Sequence, residues 1–162
     1  MDVVCRSLAE DDYNKIIKVV DDWWGGRNVA NMLPRLFFVH FRQTSFVIEE
    51  NHEPVAFVCG FISPAAPQEA YIHFAGVRPD HRGQGLAKRL YQEFFNLVVG
   101  SGCHEVHCVT SLANTGSIAF HTRLGFQVIP GDAENGEGVP YVADYDGPGQ
   151  DRVLLSKKLD PA

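Results

Sequence analysis

One stretch of this 162-residue chain constrains its fold more than any other. A predicted strand at 69–77 runs through a glycine-containing loop at 78–85 directly into a predicted helix at 86–99. Apolar residues recur at positions 86, 90, 94, 97 and 98, which is the spacing of one helix face, and Gly100 follows the run. Because the first turn of a helix leaves backbone N–H groups without partners, the unit predicts an anion-binding loop in an α/β fold. We call residues 78–85 the anion loop.

The charge of this segment differs from that of the chain. The chain has 14 Lys and Arg against 20 Asp and Glu, a net charge of −6, which gives no support for a nucleic-acid-binding surface. Around the anion loop, four cations against one carboxylate give a local net charge of +3, from Arg78, Arg82, Lys88, Arg89 and Asp80. Cations oppose the dipole at a helix N-terminus unless an anion binds there, so the pattern predicts a polyphosphate ligand.

The other elements are read from hydrophobic spacing and from turn residues. Strands are predicted at 3–8, 45–50, 55–62, 105–110, 126–129 and 152–159, and helices at 10–20, 28–41 and 115–124. With the central unit, the order is βααβββαβαββ in a single domain over 1–162. Residues 131–149 contain five glycines, five acidic residues and no Lys or Arg. This acidic insertion is predicted to be a long loop or a poorly ordered segment.

The sequence also limits location and partners. No apolar stretch approaches the roughly 18 residues needed to span a bilayer, and the N-terminus lacks the pattern of a signal peptide. We therefore expect a soluble, cytoplasmic protein without a membrane partner. Its cysteines, Cys5, Cys59, Cys103 and Cys108, lie in apolar, strand-like segments and are expected to be reduced.

A run of cysteine and histidine from Cys103 to Cys108 is typical of metal sites. Strand alternation, however, directs His104 and Cys108 to one face of the strand and Cys103 and His107 to the other. The four side chains then cannot converge on one ion, and no metal site is predicted.

Two familiar phosphate-binding patterns do not fit the anion loop. The dinucleotide fingerprint needs a third glycine where Leu86 or Lys88 stands, and the P-loop needs a Gly-Lys-Ser/Thr that is absent. The segment Arg82-Gly-Gln-Gly85-Leu-Ala87 instead resembles the pyrophosphate loop, Gln/Arg-x-x-Gly-x-Gly/Ala, of the GNAT superfamily of acyl-CoA-dependent N-acetyltransferases. The segment from Asn114 through Ser117 to Gly125-Phe126 resembles the second motif of that family.

This resemblance implies the GNAT fold, a central mixed, mostly antiparallel sheet flanked by helices. In it the strands at 69–77 and 105–110 splay apart to admit the pantetheine arm of acetyl-CoA. The residues that the resemblance assigns to acetyl-CoA are Ala75, Gly76, Val77, Arg82, Gly83, Gln84, Gly85, Leu86, Ala87, Lys88, Asn114 and Ser117. For Asn114 a simple helix N-cap is the alternative, and the role of Ser117 is less defined.

Three side chains are candidates for catalysis. Alternation in the strand at 69–77 places Tyr71, His73 and Ala75 on one face, with Ile72 and Phe74 on the other. An imidazole with an ordinary pKa of about 6.5 suits removal of a proton from an ammonium acceptor. His73 is therefore the predicted general base. A structural histidine is the alternative, with a water held by Tyr71 as the base.

His121 stands where the family often has a tyrosine that protonates the departing thiolate. A partly protonated imidazole suits that task, since a thiol with a pKa of about 8.5 leaves with modest assistance. Packing against acetyl-CoA, or a surface role, is the alternative for His121.

The resemblance implies direct acetyl transfer from acetyl-CoA to a primary amine. Because the insertion at 131–149 carries five acidic residues, a small cationic amine is the expected acceptor, the alternative being a solvated loop without a role in binding. Trp23 and Trp24 are candidates for lining the acceptor pocket or for packing in the core. A non-catalytic acyl-CoA sensor and a protein lysine or N-terminal acetyltransferase are the other functions considered, and a homodimer is compatible with each.

Overall fold

The computed structural model describes residues 3–160 and contains one large mixed sheet with helices on both faces. The strands, in chain order, are β1 Val3–Ser7, β2 Phe46–Glu50, β3 Glu53–Ile62, β4 Glu69–Val77, β5 Glu105–Thr110, β6 Gln127–Val128, β7 Ala133–Glu134, β8 Pro140–Tyr141 and β9 Val153–Lys158. The helices are α1 Asp12–Ile17, α2 Val20–Trp23, α3 Leu36–Val39, α4 Leu86–Gly100 and α5 Thr115–Arg123. Short 3₁₀ turns occupy Ala30–Met32, Arg42–Thr44 and Pro79–His81.

The sheet order is β1-β2-β3-β4-β5-β9-β6, and every neighbouring pair except β4 and β5 is antiparallel. The predicted mixed, mostly antiparallel sheet is confirmed. The parallel pairing of β4 with β5 runs only from Glu69 opposite Glu105 to Tyr71 opposite His107. Beyond these residues β4 and β5 are no longer paired. The sheet therefore opens between these two strands, where the sequence predicts that they splay apart.

Each face of the sheet has its own apolar core. The apolar stripe of α4 buries Leu90, Phe94 and Val98 against one face. Burial of each such side chain contributes roughly 1.5–3 kcal/mol. The helix lies so close to β3 that a Cβ on Gly60 would stand 2.5 Å from the ring of Phe94. Glycine at position 60 therefore lets α4 approach the sheet.

The second core lies under α1, α2 and α3 and contains Ile16, Val20 and Phe38. Arg6 and Asp12 form a salt bridge of 2.8 Å that fixes the start of α1. Within residues 3–160, no helix is both long and apolar enough to cross a membrane. All four cysteines are free thiols, as predicted.

Two predicted helices differ from the structure. The helix predicted at 10–20 ends at Ile17 and resumes as α2, and the one predicted at 28–41 is only a 3₁₀ turn followed by the single turn of α3. The Asp21 carboxylate accepts hydrogen bonds from the N–H groups of Val29 and Ala30 at 2.7 and 2.8 Å. These bonds fix a non-helical conformation at the start of the segment 28–41. Pro34 then lacks the N–H that a continuous helix needs. Hydrophobic spacing does not reveal the contacts of Asp21, whereas Pro34 in the sequence already predicts an early turn or a kink in this helix.

The acidic insertion is an ordered element rather than a bare loop. It contains the β7–β8 hairpin, and several of its carboxylates hold its turns. Asp132 accepts the N–H of Ala143 at 3.0 Å, and Asp144 accepts the N–H of Gly149 at 2.7 Å. Asp146 pairs with Arg152 at 2.7 Å. Part of the negative charge thus stabilises the backbone of the insertion.

Candidate functional site

A cavity of about 960 Å³ lies where β4 and β5 separate, between the anion loop and α5. This volume is within the usual range of small-molecule sites, about 300–1,000 Å³. The predicted site residues that line it are Ala75, Gly76, Val77, Arg82, Gly83, Gly85, Leu86, Ala87, Lys88, Asn114, Ser117 and His121. Gln84, Tyr71 and His73 do not belong to its lining. The structure therefore brings both predicted motifs to one cavity.

The anion loop presents backbone donors to this cavity. Gly83 and Gly85 both have φ of +78°, in the left-handed region that glycine adopts without strain. Gly85 is the N-cap of α4 and has no side chain to accept from the first turn. The first intrahelical bond is donated by the N–H of Arg89 to Gly85, so the earlier amides of α4 are available to an anion.

Arg82 contacts the protein itself as well as the cavity. Its Nε donates to the carbonyl of Val77 at 3.2 Å, and its Nη2 donates to the carbonyl of Trp23. The guanidinium thus connects the anion loop to the end of β4 and to α2. Such contacts fix the loop in place, a role that the motif alone did not predict.

Several lining residues were missed by sequence reasoning. Arg27, from the segment after α2, and Arg123, from α5, add cations to those of the anion loop. His81 and Tyr91 also line the cavity. The helical spacing of Ser117, Ile118 and His121 marks one face of α5 but does not show what lies opposite that face. The four lining residues named above are therefore identified only from the tertiary structure.

His121 is buried and bonded at both ring nitrogens. Its Nδ1 lies 2.7 Å from the carbonyl oxygen of Ser117, which is an acceptor, so Nδ1 carries the hydrogen. In the uncharged ring Nε2 is then an acceptor, and the Tyr91 hydroxyl donates to it at 2.9 Å. Burial lowers the pKa of His121, partly offset by the bond to Ser117. The imidazole is therefore neutral near pH 7.

The face assignment predicted for β4 is wrong in part. The register of β3 and β4 shifts between Cys59, opposite Phe74, and Gly60, opposite Ile72, which leaves His73 without a partner on β3. This β-bulge changes the alternation. Ala75 consequently packs in the same core as Ile72, on the α4 face.

On the opposite face, Phe74 joins the core under α1–α3, together with the rings of Tyr71 and His73. His73 stacks on Phe37, with ring centroids 4.6 Å apart and an angle of 3° between the planes. Its Nε2 lies 2.5 Å from the carbonyl oxygen of Met32, so Nε2 carries the hydrogen and donates it. In the neutral ring, Nδ1 then holds the lone pair that a base requires.

Tyr71 is half-buried on that same face, with its ring 5.5 Å from that of Phe61. Burial raises the pKa of Tyr71 to about 12, with smaller contributions from Tyr145 and Asp146, while Arg152 acts in the opposite direction. The hydroxyl is therefore protonated at neutral pH and is a hydrogen-bond donor. The acidic insertion packs Val139 and Tyr141 against the core on the α4 face.

Both tryptophans line the cavity, and one of them is also a core residue. Trp23 is buried against Phe57, with ring centroids 6.0 Å apart. Trp24 lies over β4, where a Cβ on Gly76 would stand 2.7 Å from its ring. Glycine at position 76 thus lets Trp24 form the cavity wall.

Asn114 caps α5 as predicted, since its Oδ1 accepts the N–H of Ser117 at 3.1 Å. Within the Cys103–Cys108 run, Cys103, His104 and Cys108 join no group of potential metal ligands among residues 3–160. Potential ligand atoms within 4.8 Å of one another are instead those of Glu69, Glu105 and His107. His107 Nε2 already bonds Glu105 at 3.0 Å.

Comparison with known proteins gives one family. The family model described as acetyltransferase (GNAT) family matches residues 10–126. The chain is 32% identical over 85 residues to the L-2,4-diaminobutyric acid acetyltransferase of Halalkalibacterium halodurans, covering 52% of this chain and 45% of that protein. It is 29% identical over 93 residues to N-alpha-acetyltransferase 30 of Schizosaccharomyces pombe, covering 56% and 62%. The matched segments span about half the length of such curated relatives.

A solved structure shows the same fold. The diaminobutyrate acetyltransferase from Paenibacillus lautus, in complex with L-2,4-diaminobutyric acid and coenzyme A, superposes with a TM-score of 0.71 at 22% identity. The superposition covers 96% of this chain and 93% of that one. At this level of identity the likeness shows the fold.

Proposed function

This chain belongs to the acetyltransferase (GNAT) family, and we propose that it transfers an acetyl group from acetyl-CoA to the primary amine of a small cationic acceptor. The amine nitrogen attacks the thioester carbonyl, a C–N bond forms, and the C–S bond breaks. The nitrogen loses a proton and the departing thiolate gains one. Donor and acceptor are bound together, so no covalent enzyme intermediate is needed.

The observation that carries the proposal is the cavity at the gap between β4 and β5. It joins an uncapped helix N-terminus and a glycine loop to the unpaired edge of β4. The amides of α4 suit the pyrophosphate of acetyl-CoA, and the edge of residues 75–77 that β5 leaves unpaired suits the amides of its pantetheine arm. Gly83 and Gly85 let a phosphate approach the backbone.

The general base in this proposal is His73. The carbonyl of Met32 fixes the tautomer, so the lone pair of Nδ1 is free to take the amine proton. His73 lies outside the lining of the acetyl-CoA cavity, on the α1–α3 face of the sheet, from which Trp23 and Trp24 also reach the cavity. The acceptor therefore approaches from the face of Tyr71 and His73, while the thioester arrives through the gap between β4 and β5. Tyr71, as a neutral hydroxyl, donates to the acceptor or to a water between it and His73.

His121 gives limited help to the leaving group. It donates a proton only from its imidazolium form, because the hydrogen of the neutral ring is bonded to the carbonyl of Ser117. Burial makes this form scarce at neutral pH. A thiolate with a pKa of about 8.5 leaves readily, so loss of His121 should reduce kcat by less than about tenfold, below the usual effect of a general acid.

The acceptor class rests on the charge of the acidic insertion, which has five acidic residues and no Lys or Arg. Glu134 and Glu137 are exposed and form no salt bridge with another described residue. Their field attracts a cationic amine and repels a carboxylate-rich one. The similarity to a diaminobutyric acid acetyltransferase supports a small amine. Similarity to an N-alpha-acetyltransferase favours a second candidate, the N-terminal amine of a peptide.

The test is release of free CoA thiol from acetyl-CoA in the presence of single acceptors. The panel contains diamines, diamino acids, monoamines and short peptides with free N-termini, and mass spectrometry identifies the acetylated product. Turnover of small amines above peptides supports the proposal. Turnover of peptides alone makes the second candidate correct. Binding of acetyl-CoA without product from any acceptor would indicate the acyl-CoA sensor instead.

A further inference from the structure

His81 lies between two carboxylates beside the proposed acetyl-CoA site. Its Nδ1 is 2.7 Å from Oδ1 of Asp80, and its Nε2 is 2.8 Å from Oε2 of Glu50. Asp80 belongs to the anion loop, whereas Glu50 ends β2. Only 9% of the His81 residue surface is exposed. The imidazole therefore connects the loop to the sheet.

The two contacts select the charged form of the ring. A neutral imidazole has one N–H and one lone pair, so one of its nitrogens would direct a lone pair at a carboxylate oxygen. The imidazolium instead donates at both nitrogens, and bonds of this charge-assisted kind are short and strong. The guanidinium of Arg78 also donates to Oδ1 of Asp80, at 2.7 Å, so one carboxylate oxygen accepts from both side chains.

The next residue in the chain makes the second connection. Arg82 binds the carbonyls of Val77 and Trp23, so His81 and Arg82 hold the anion loop to β2 on one side and to α2 on the other. His81 also lines the cavity. The loop whose glycines line the cavity is thus held in place by the side chains of His81 and Arg82.

We propose that His81 is a positioning residue for the pyrophosphate of acetyl-CoA, which as an imidazolium bridge between Asp80 and Glu50 holds the anion loop in its binding geometry. The inference rests on the proposed function, because it assumes that the cavity binds CoA. Compared with the glycine motif alone, the proposal adds His81 to the site and makes CoA binding depend on the protonation of this histidine. His81 acts through the loop, and its positive charge also lowers the cost of bringing phosphate to the cavity.

The geometry sets the sign of the pH dependence. The bonds to Asp80 and Glu50 raise the pKa of His81, against opposing effects of burial and of Arg78. The bridge is complete below the ordinary histidine pKa of about 6.5 and is lost as pH rises through the raised value. CoA should therefore bind more weakly at alkaline pH.

The experiment is calorimetric titration of the full chain with CoA, for the wild type, His81→Gln and Glu50→Gln. The exposed His40 provides the matched control, His40→Gln. Each protein is titrated from about pH 6 to about pH 9, across the histidine range. S-acetylpantetheine, which lacks the pyrophosphate, is the second probe, through the KM of its turnover. Titration of the CoA groups themselves is common to all proteins and cancels in the ratio of Kd values.

We expect His81→Gln to weaken CoA binding about tenfold near pH 6, equivalent to about 1.4 kcal/mol, and the difference to shrink as pH rises. Glu50→Gln should act in the same direction, and it carries the test if His81→Gln does not fold. The KM for S-acetylpantetheine should stay within about twofold of the wild type. A ratio of Kd values that does not change with pH, or an equal loss for both probes, would overturn the positioning role. If the wild type itself binds no CoA, the proposed function fails instead.

Discussion

The Tyr91 hydroxyl donates a hydrogen bond of 2.9 Å to Nε2 of His121, and this bond joins α4 to α5 at the wall of the cavity. Both groups are almost fully buried, with 3% and 7% of their residue surface exposed. Burial raises the pKa of Tyr91 well above its ordinary value and lowers that of His121. The Tyr91 hydroxyl is therefore a neutral donor and the His121 imidazole a neutral acceptor. Loss of the hydrogen bond between them should affect the stability of the protein.

Replacing Tyr91 with phenylalanine should lower the free energy of unfolding by about 1–3 kcal/mol. The substitution leaves Nε2 of His121 buried without its donor, which costs more than the loss of an exposed bond. Urea unfolding measures the difference. Tyr145→Phe, at a tyrosine with 46% of its surface exposed, is the control and should change little. Equal stability of the two variants would mean that the Tyr91–His121 bond adds nothing.

The lowered pKa of His121 makes a prediction about pH. Between the ordinary pKa of about 6.5 and the lower value in the folded protein, the unfolded chain binds a proton at this residue and the folded protein does not. The stability that His121 contributes is therefore present above that range and is lost as pH falls through it. His121→Gln should cost less stability near pH 5 than near pH 7.5, as followed by thermal unfolding at each pH. A cost that grows at acid pH would contradict the burial argument.

Loss of the proposed base should act on turnover rather than on acetyl-CoA. His73→Ala should lower kcat by about 10²-fold while the Kd for CoA stays near that of the wild type. Because the substitution leaves a space beside Phe37, added imidazole should restore part of the rate. His40→Ala, at an exposed histidine, is the control. An unchanged kcat across the neutral and alkaline range in a folded His73 variant would make this histidine structural.

Much of this structure was predictable because it depends on local pattern. The helix face of α4 and the strand bounds of β4 and β5 follow from spacing and from glycine positions, and the structure has β4 and β5 where they were predicted. Asn114 was predicted as the cap of α5 from its residue type and its place before the helix. Such signals need no knowledge of distant residues.

The unpredicted features depend on partners far away in sequence. The bulge at His73 requires knowing the register between β3 and β4, and a single inserted residue there changed the side of the sheet assigned to Ala75 and Phe74. The His81 bridge joins residues 31 positions apart. The irregular course after α2 depends on the Asp21 carboxylate binding amides eight and nine residues later. The hydrophobic periodicity of the sequence gives no information about these contacts.

The conformation of the anion loop gives a prediction with an internal control. Gly85→Val should weaken CoA binding tenfold or more, at least about 1.4 kcal/mol, because valine is strained at φ of +78° and moves the start of α4. An ideal Cβ at Gly85 would meet no atom within 4 Å, so the expected effect comes from the backbone rather than from a clash in the unbound protein. Gly100→Ala, at the other end of α4, should leave binding unchanged and stabilise the helix by about 0.5–1 kcal/mol. Equal affinities in a folded Gly85→Val variant would place the pyrophosphate elsewhere.

Variants of the acidic insertion test the proposed acceptor class. The structure shows which acidic residues can be changed without disturbing the fold. Asp132 and Asp144 hold turns and Asp146 pairs with Arg152, so neutralising them would disturb the fold as well as the field. Glu134 and Glu137 are exposed, and their double change to glutamine alters charge with least structural effect.

In the wild type, kcat/KM for a cationic amine should fall as ionic strength rises, since the Debye length shrinks from about 30 Å at 0.01 M to about 8 Å at 0.15 M. The double variant should have a lower kcat/KM at low salt and a flatter dependence. Glu93→Gln, at an exposed position of α4 outside the insertion, controls for a change in net charge alone and should leave the slope unaltered. Identical slopes in all three proteins would mean that the insertion has no part in attracting the acceptor.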